Sequence, residues 1–84
     1  MKKFLFNGKP NVCADRVRIG RAMRKMRQED LAKKLQLEGV DIGRGIISNI
    51  ERNKRLVTDY ELMCMAKVLN VSVDWLLGLS DTPE

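Results

Sequence analysis

Histidine is absent from this sequence of 84 residues. The absence removes the side chain that most often serves as a general base and the most common ligand of zinc. The sequence also has no glycine-rich phosphate loop and no convincing pair of a nucleophile and a base. We therefore expect no catalytic residues, no metal and no cofactor, and an enzyme is the least favoured class of function.

Cysteine is scarce, and the two cysteines, Cys13 and Cys64, lie far apart with no Cys-x-x-Cys pattern near either. This spacing argues against a structural zinc site. Both fall within apolar helical patterns, so we expect them to be small core residues. Long apolar runs are also lacking: the first contains only Phe4, Leu5 and Phe6, which is too short for a signal peptide or a membrane span. We expect a cytoplasmic protein that does not enter a membrane.

Positive charge is concentrated in one part of the chain. Residues 1–57 contain 15 Lys or Arg and 6 Asp or Glu, a net charge of +9. Residues 58–84 contain 1 and 5, a net charge of −4. A basic body followed by an acidic segment is typical of a protein that presents one side to a polyanion. The alternative is an ordinary solvated basic surface.

The length fits one small domain, and the patterns predict five short helices and an all-α fold. Residues 1–10 have no helical period and are predicted to form an arm. The first helix follows Asn11, its predicted N-cap, and ends near Lys25. One side is apolar at an approximate 3–4 spacing, and the other is nearly all basic. The apolar side has Val12, Ala14 or Asp15, Ile19, Ala22, Met23 and Met26; the basic side has Arg16, Arg18, Arg21, Arg24, Lys25 and Arg27.

The second helix is predicted over residues 28–38, and Gly39 ends it because glycine readily adopts the left-handed conformation. A connector then leads to the third helix, about residues 43–53, with Asp41 as a candidate cap. Thr58 begins the fourth helix with a capping box, in which Glu61 is the second member.

The fourth helix is predicted to end at Asn70. Ser72 caps a short fifth helix, which Gly78 closes, and its core candidates are Val73, Leu76 and Leu77. Residues 80–84 are expected to be frayed, so the folded domain is predicted over residues 11–79.

Three segments in this order resemble the Xre/Cro-repressor family of DNA-binding domains. They are RIGRAMRKMRQEDLAKKL, IISNIERNKR and TDYELMCMAKVLNVSVDWLLG, and the resemblance covers roughly residues 16–78. It implies a five-helix lambda-repressor-like fold in which helices two and three form a helix-turn-helix. It also implies a sequence-specific transcriptional regulator of bacterial or phage type, expected to be a repressor, that binds double-stranded DNA. We expect a homodimer on an inverted-repeat operator.

The resemblance assigns contacts to particular residues. In this family the third helix lies in the major groove and reads base edges, and the second crosses the backbone. By position, the base contacts are Arg44, which offers two donors to guanine, Asn49, which suits adenine, and Gly45, which lets the backbone approach. Each is otherwise a solvated surface residue. The implied phosphate contacts are Gln28 and the residues Arg52, Asn53, Lys54 and Arg55, with Arg27 beside the same path.

Arg21 and Glu51 match two positions that form a partly buried salt bridge in this family. The resemblance thus implies that Glu51 orients the third helix and is not a catalytic acid. Two features depart from the family pattern. The connector between helices two and three is about five residues longer, and Lys25 and Arg27 replace the glycine and the Thr-type cap that commonly precede Gln28.

The dimer contacts are expected from one of two places: helix five with the tail, through Trp75 and Leu79, or the arm, through Phe4, Leu5 and Phe6. Trp75 in the core is the alternative to its role in an interface. The second class of function is a protein-interaction or antitoxin-like adaptor, which would use the same helices and basic face to hold an acidic protein.

Overall fold

The computed structural model describes residues 5–84, which contain five helices and no strand apart from one isolated bridge between Phe6 and Lys9. Phe4 of the predicted arm contact lies outside the described residues. None of the described helices is long and apolar enough to cross a membrane. The predicted all-α, five-helix fold is confirmed. The helices are α1 (Ala14–Met23), α2 (Gln28–Leu37), α3 (Arg44–Glu51), α4 (Asp59–Leu69) and α5 (Val73–Leu76).

All five helices contribute to one hydrophobic core. Helix α3 packs against α1 and α2, while α4 packs against α1, α2 and α5. Trp75 lies within this core, which is one of the two alternatives predicted for it, and Cys13 is buried in the same cluster. The largest fully buried side chains are Val17, Leu31, Leu35, Ile47, Ile50, Met65, Leu69 and Leu76.

The predicted apolar side of α1 matches the buried side only in part. Ala14 is buried and Met26 packs partly buried against the core, as the pattern predicts, but Ile19 and Met23 are 39% and 42% exposed. The other buried residues of the helix are Val17 and Gly20, which the pattern does not include. Gly20 lies so close to the core that a Cβ there would be 3.2 Å from a methyl carbon of Leu69. A small residue at this position lets α1 approach α4 and α5, and this approach sets which side faces inward.

Two arginines from the predicted basic side of α1 bind other parts of the fold. The guanidinium of Arg16 lies over the ring of Trp75, 4.6 Å from its centroid. Arg24 donates to the carbonyl oxygens of Leu69 and Asn70 at 2.7 and 2.9 Å, at the C-terminal end of α4. The aliphatic stem of an arginine can cover apolar surface while its head binds carbonyls. Basic character on a helix therefore does not by itself mark an outward-facing side.

Two predicted caps are also wrong. Helix α1 begins after Cys13 rather than Asn11, and α3 begins after Gly43 rather than Asp41, in both cases without a side-chain cap. The capping box of Thr58 is confirmed: its hydroxyl accepts from the Glu61 N–H, and its own N–H donates to the Glu61 carboxylate at 2.9 Å.

The other helix ends match the sequence patterns. Gly39, Asn70 and Gly78 have positive φ angles of 88°, 55° and 76°. The Ser72 hydroxyl accepts from the Trp75 N–H at 3.0 Å, which confirms the cap of α5. Among its core candidates, Leu76 is buried, but Val73 is 36% exposed.

The C-terminal tail folds back instead of fraying. The Ser72 N–H donates to the carbonyl oxygen of Pro83 at 2.7 Å. Arg16 also donates to the carbonyl oxygen of Ser80 at 3.3 Å. The acceptors in both contacts are backbone carbonyl oxygens of the tail, which a sequence pattern of polar residues cannot reveal.

Candidate nucleic-acid interface

Helix α3 has two distinct sides. Ile47 and Ile50 are fully buried against the core, whereas Arg44 and Gly45 are exposed at the N-terminal end. Within residues 5–84, the Arg44 side chain has no hydrogen bond or ion pair. Asn49 is partly exposed one turn further along. We call Arg44, Gly45 and Asn49 the recognition face, since these are the predicted base-contacting residues.

Gly45 lacks a side chain for no reason connected with packing. An added Cβ at this residue would have no protein atom within 4 Å. Glycine within a helix is less stable than alanine by up to about 1 kcal/mol, because the unfolded backbone has more freedom to lose. The fold would therefore tolerate a larger residue here, and the exposed backbone is available to something outside the protein.

A carboxylate at the end of α3 connects the first three helices. Arg21 of α1 donates from Nε and Nη2 to the two oxygens of Glu51, at 2.9 and 3.0 Å. Gln28, the first residue of α2, donates from Nε2 to Glu51 Oε1 at 3.2 Å. The Glu51 side chain is only 4% exposed and that of Arg21 is 18% exposed. The network thus fixes α3 relative to α1 and α2.

The predicted phosphate contact Gln28 therefore already has a protein partner. Its amide nitrogen carries a second N–H, which the bond to Glu51 leaves available. Arg27 precedes it as an exposed N-cap, and the Arg27 N–H donates to Asp30 Oδ2 at 2.8 Å. An arginine has no acceptor to complete the cap. Lys25 has a φ angle of 56°, so it occupies the left-handed position where the family commonly has glycine.

The loop between α3 and α4 (residues 52–58, the α3–α4 loop) contains the other predicted phosphate contacts. Its turn depends on Asn53, whose φ angle is 60°. The Lys54 side chain is exposed and has no bonded partner in the described part of the chain. Arg52 donates from Nη2 to Asn49 Oδ1 at 2.9 Å, which joins this loop to the recognition face.

Arg55 has a different environment from the one predicted. Its Nη1 and Nη2 donate to the two oxygens of Glu61 at 2.6 and 3.0 Å. Glu61 is buried, and its pKa is lowered: burial opposes ionisation, but hydrogen bonds from Arg55 and Thr58 outweigh it. Two of the arginine's nitrogens are thus bound to the protein rather than facing solvent. The phosphate assignment of Arg55 gains no support from this geometry.

A helix-turn-helix family model of the Xre/Cro type (HTH_3) matches residues 17–76. The chain belongs to this helix-turn-helix family. Among solved structures it is similar to the P22 c2 repressor protein, determined in complex with synthetic operator 9T in the presence of Tl+. The two share 29% sequence identity with a TM-score of 0.68, over 81% of this chain and 96% of that chain. A search of curated proteins finds no match.

In this helix-turn-helix protein the connector between α2 and α3 is part of the core. Six residues separate α2 from α3, and two of them, Val40 and Ile42, are 4% and 3% exposed. Val40 donates its N–H to the carbonyl of Leu35 at 2.9 Å, and the Gln36 amide donates to the carbonyl of Ile42 at 3.0 Å. This connector is therefore held at both ends, which fixes where α3 begins.

The sequence patterns assign Asn11 to the start of a helix and do not reveal its contacts to the α3–α4 loop. It precedes α1, is 6% exposed, and its side chain hydrogen-bonds to the α3–α4 loop. It also lies outside residues 17–76, which the helix-turn-helix family model matches. In a sequence, an asparagine that caps a helix looks the same as one that binds a distant loop. Only its partners in the folded protein distinguish these two roles.

Proposed function

We propose that this protein is a sequence-specific DNA-binding transcriptional regulator of bacterial or phage type, with α3 in the major groove. The observation that carries the proposal is the recognition face: a helix held rigidly by its buried side and by Glu51 presents Arg44 unpaired to solvent. Similarity to a repressor solved with its operator supports the same function. We propose no catalytic role.

The proposal divides the contacts by chemistry. Arg44 and Asn49 read base edges, because their side chains can pair bidentately with guanine and adenine. Gln28 and Lys54 bind phosphates on either side of the groove, with Arg27 and Arg52 adding positive charge. Asn53 and Arg55 instead shape the α3–α4 loop, since both bind other residues of the protein.

We further propose a homodimer that represses from an inverted-repeat operator, in the cytoplasm, with half-sites about 34 Å apart. Trp75 lies in the core and so is excluded from the dimer contact proposed for it. Of the other described candidates, Leu79 is 75% exposed, while Leu5 and Phe6 are 53% and 64% exposed. Sedimentation of the protein with duplexes carrying one or two half-sites tests whether two copies bind together.

The function is tested by titrating salt against binding to duplex DNA. A regulator that neutralises phosphates binds duplex at low salt, and its affinity falls steeply and log-linearly as salt rises. Fluorescence anisotropy with a labelled random-sequence duplex measures this. No binding at low salt would overturn the proposal and favour the protein-interaction adaptor.

Arg44 and Lys54 provide a matched pair of charge deletions. We expect Arg44→Ala to reduce the binding free-energy preference for guanine at one position by about 1–3 kcal/mol, because it removes a bidentate base contact. Lys54→Ala is expected to weaken all sequences about equally and to reduce the salt slope by about 1. Binding of each variant to a panel of point-substituted duplexes separates the two. An equal loss on every duplex for Arg44→Ala would contradict its base assignment.

Gly45→Ala is expected to move stability and binding in opposite directions. The added methyl meets no protein atom, so the helix gains about 0.5 kcal/mol and the melting temperature rises by a few degrees. Binding to a specific duplex is expected to weaken by about tenfold, since the methyl stands where the backbone approaches the bases. Thermal melts and anisotropy measure the two effects, and a nonspecific duplex is the control. Unchanged specific binding would show that DNA does not approach this backbone.

A further inference from the structure

Asn11 connects the segment before α1 to the α3–α4 loop through three hydrogen bonds. Its backbone N–H donates to Asn53 Oδ1 at 2.9 Å. Its side-chain Nδ2 donates to the carbonyl oxygen of Arg55 at 2.7 Å, and its Oδ1 accepts from the Val57 N–H at 2.8 Å. Every polar group of this side chain is thus directed at the α3–α4 loop, across at least 42 residues of sequence.

Helix α3 holds the first part of the α3–α4 loop, because the Lys54 N–H donates to the carbonyl oxygen of Asn49 at 2.7 Å. Beyond Lys54 the loop depends on the bonds from Asn11. It has no regular structure, and neither the Arg55 carbonyl nor the Val57 N–H has another hydrogen-bond partner among residues 5–84. Buried backbone groups without partners cost free energy, so Asn11 satisfies a requirement of the fold. On the opposite side the loop is held by the bidentate pair of Arg55 with Glu61. Lys54 is the one charged residue of this loop that is exposed and makes no side-chain hydrogen bond or ion pair among residues 5–84.

We propose that Asn11 is a positioning residue of the DNA interface. By binding the Asn53 side chain before Lys54 and the backbone of Arg55 and Val57 after it, Asn11 holds that ammonium group where it meets a phosphate when α3 enters the groove. The proposal rests on the proposed function and extends it to a residue outside the family-matched segment. Asn11 itself touches no DNA and acts through Lys54.

The chemistry favours an amide at this position. One side of the pocket offers a carbonyl and the other an N–H, and an asparagine side chain supplies one donor and one acceptor at fixed separation. Aspartate would place a second oxygen against the Arg55 carbonyl. Alanine would leave both backbone groups without partners.

The test is a double-mutant cycle between Asn11→Ala and Lys54→Ala, with binding to one duplex measured at a temperature where every variant is folded. We expect Asn11→Ala to weaken binding by about tenfold in the wild-type background and by less than about threefold when Lys54 is already alanine. In the Arg44→Ala background the full tenfold loss is expected, because Arg44 lies at the other end of α3. Equal losses in all three backgrounds would overturn the proposal, since a general weakening of the fold acts equally on every contact.

Two controls separate positioning from stability. Ser72→Ala removes the cap of α5, so it lowers the melting temperature without touching the α3–α4 loop, and we expect unchanged binding. If Asn11→Ala does not fold, the same cycle is run with Asn11→Ser, whose shorter hydroxyl reaches only one of the two backbone groups.

Hydrogen exchange without DNA distinguishes failure of the positioning from failure of the proposed function. We expect the Val57 amide proton to be protected in the wild type and to exchange at least about tenfold faster in Asn11→Ala. Unchanged protection would overturn the anchoring even if the protein binds DNA. Faster exchange with a wild type that binds no duplex would instead overturn the DNA role and the proposed function together, leaving the anchor as a structural contact.

Discussion

We expect Glu51→Ala to lower the free energy of unfolding by about 3 kcal/mol, or roughly 15 °C in melting temperature. The substitution removes an acceptor that binds Arg21 twice and Gln28 once. The guanidinium of Arg21 is only 18% exposed and would lose its counter-charge, which is more costly than the loss of a surface pair. DNA binding is expected to weaken as well, because α3 loses its connection to α1 and α2. Thermal melts and anisotropy at a temperature where the variant is folded measure the two effects.

The control for this prediction is a second carboxylate that pairs with an arginine on the surface. Asp15 lies 3.7 Å from Arg18, and their side chains are 78% and 56% exposed. Exposed pairs contribute little, so Asp15→Ala is expected to change stability by less than about 0.5 kcal/mol. A melting temperature unchanged by Glu51→Ala would contradict the role of Glu51 in orienting the recognition helix.

Glu61→Gln is expected to cost about 2–3 kcal/mol at neutral pH, because the buried carboxylate accepts from Arg55 and from the Thr58 N–H. The cost is also expected to depend on pH. Since the folded state lowers the pKa of Glu61 below its ordinary value of about 4.3, its ionised form stabilises the fold above that value. This stabilisation is lost as the pH falls through the lower folded pKa. The difference in stability between the wild type and Glu61→Gln should therefore shrink below about pH 4.

Urea unfolding of both proteins between neutral and acid pH measures that difference. Asp59→Asn is the matched control: it removes a charge from the same turn of α4, but at an exposed residue. We expect its stability difference from the wild type to change little with pH. If the stability difference between the wild type and Glu61→Gln persists undiminished in acid, the charge of Glu61 is not what stabilises the fold.

Local signals in the sequence predicted the ends of several helices. Thr58 with Glu61, the Ser72 cap and the left-handed Asn70 depend only on residues within one turn of each other. Such patterns are visible without knowledge of the fold. The family resemblance then supplied the pairing of helices two and three as a helix-turn-helix and the bridge between Arg21 and Glu51, which local patterns do not contain.

The errors arose where a polar side chain has a distant partner. The sequence pattern places Arg16 and Arg24 on a basic side of α1, but it does not show that they bind carbonyls of α5 and at the end of α4. Asn11 was assigned to a helix start, but its partners lie more than 40 residues away. A guanidinium or an amide forms hydrogen bonds equally well with water, with nearby backbone or with a distant part of the chain. Only the tertiary contacts show which of these occurs.

The candidate site was predictable where it depends on the local period of α3, but not where it depends on contacts with other helices. The exposure of Arg44 and Gly45 follows from the period of the buried isoleucines Ile47 and Ile50 on the other side of α3. The environment of Arg55 does not follow, because its partner Glu61 belongs to the next helix. The division of the α3–α4 loop into an exposed lysine and anchored neighbours needed the structure.

Selection of bound sites from a random pool of duplex DNA tests whether α3 reads a DNA sequence. We expect enrichment of one motif, repeated in inverted orientation at a spacing of about one helical turn, with a guanine that Arg44→Ala no longer selects. Recovery of an unenriched pool at low salt would contradict the assignment of α3 as a recognition helix.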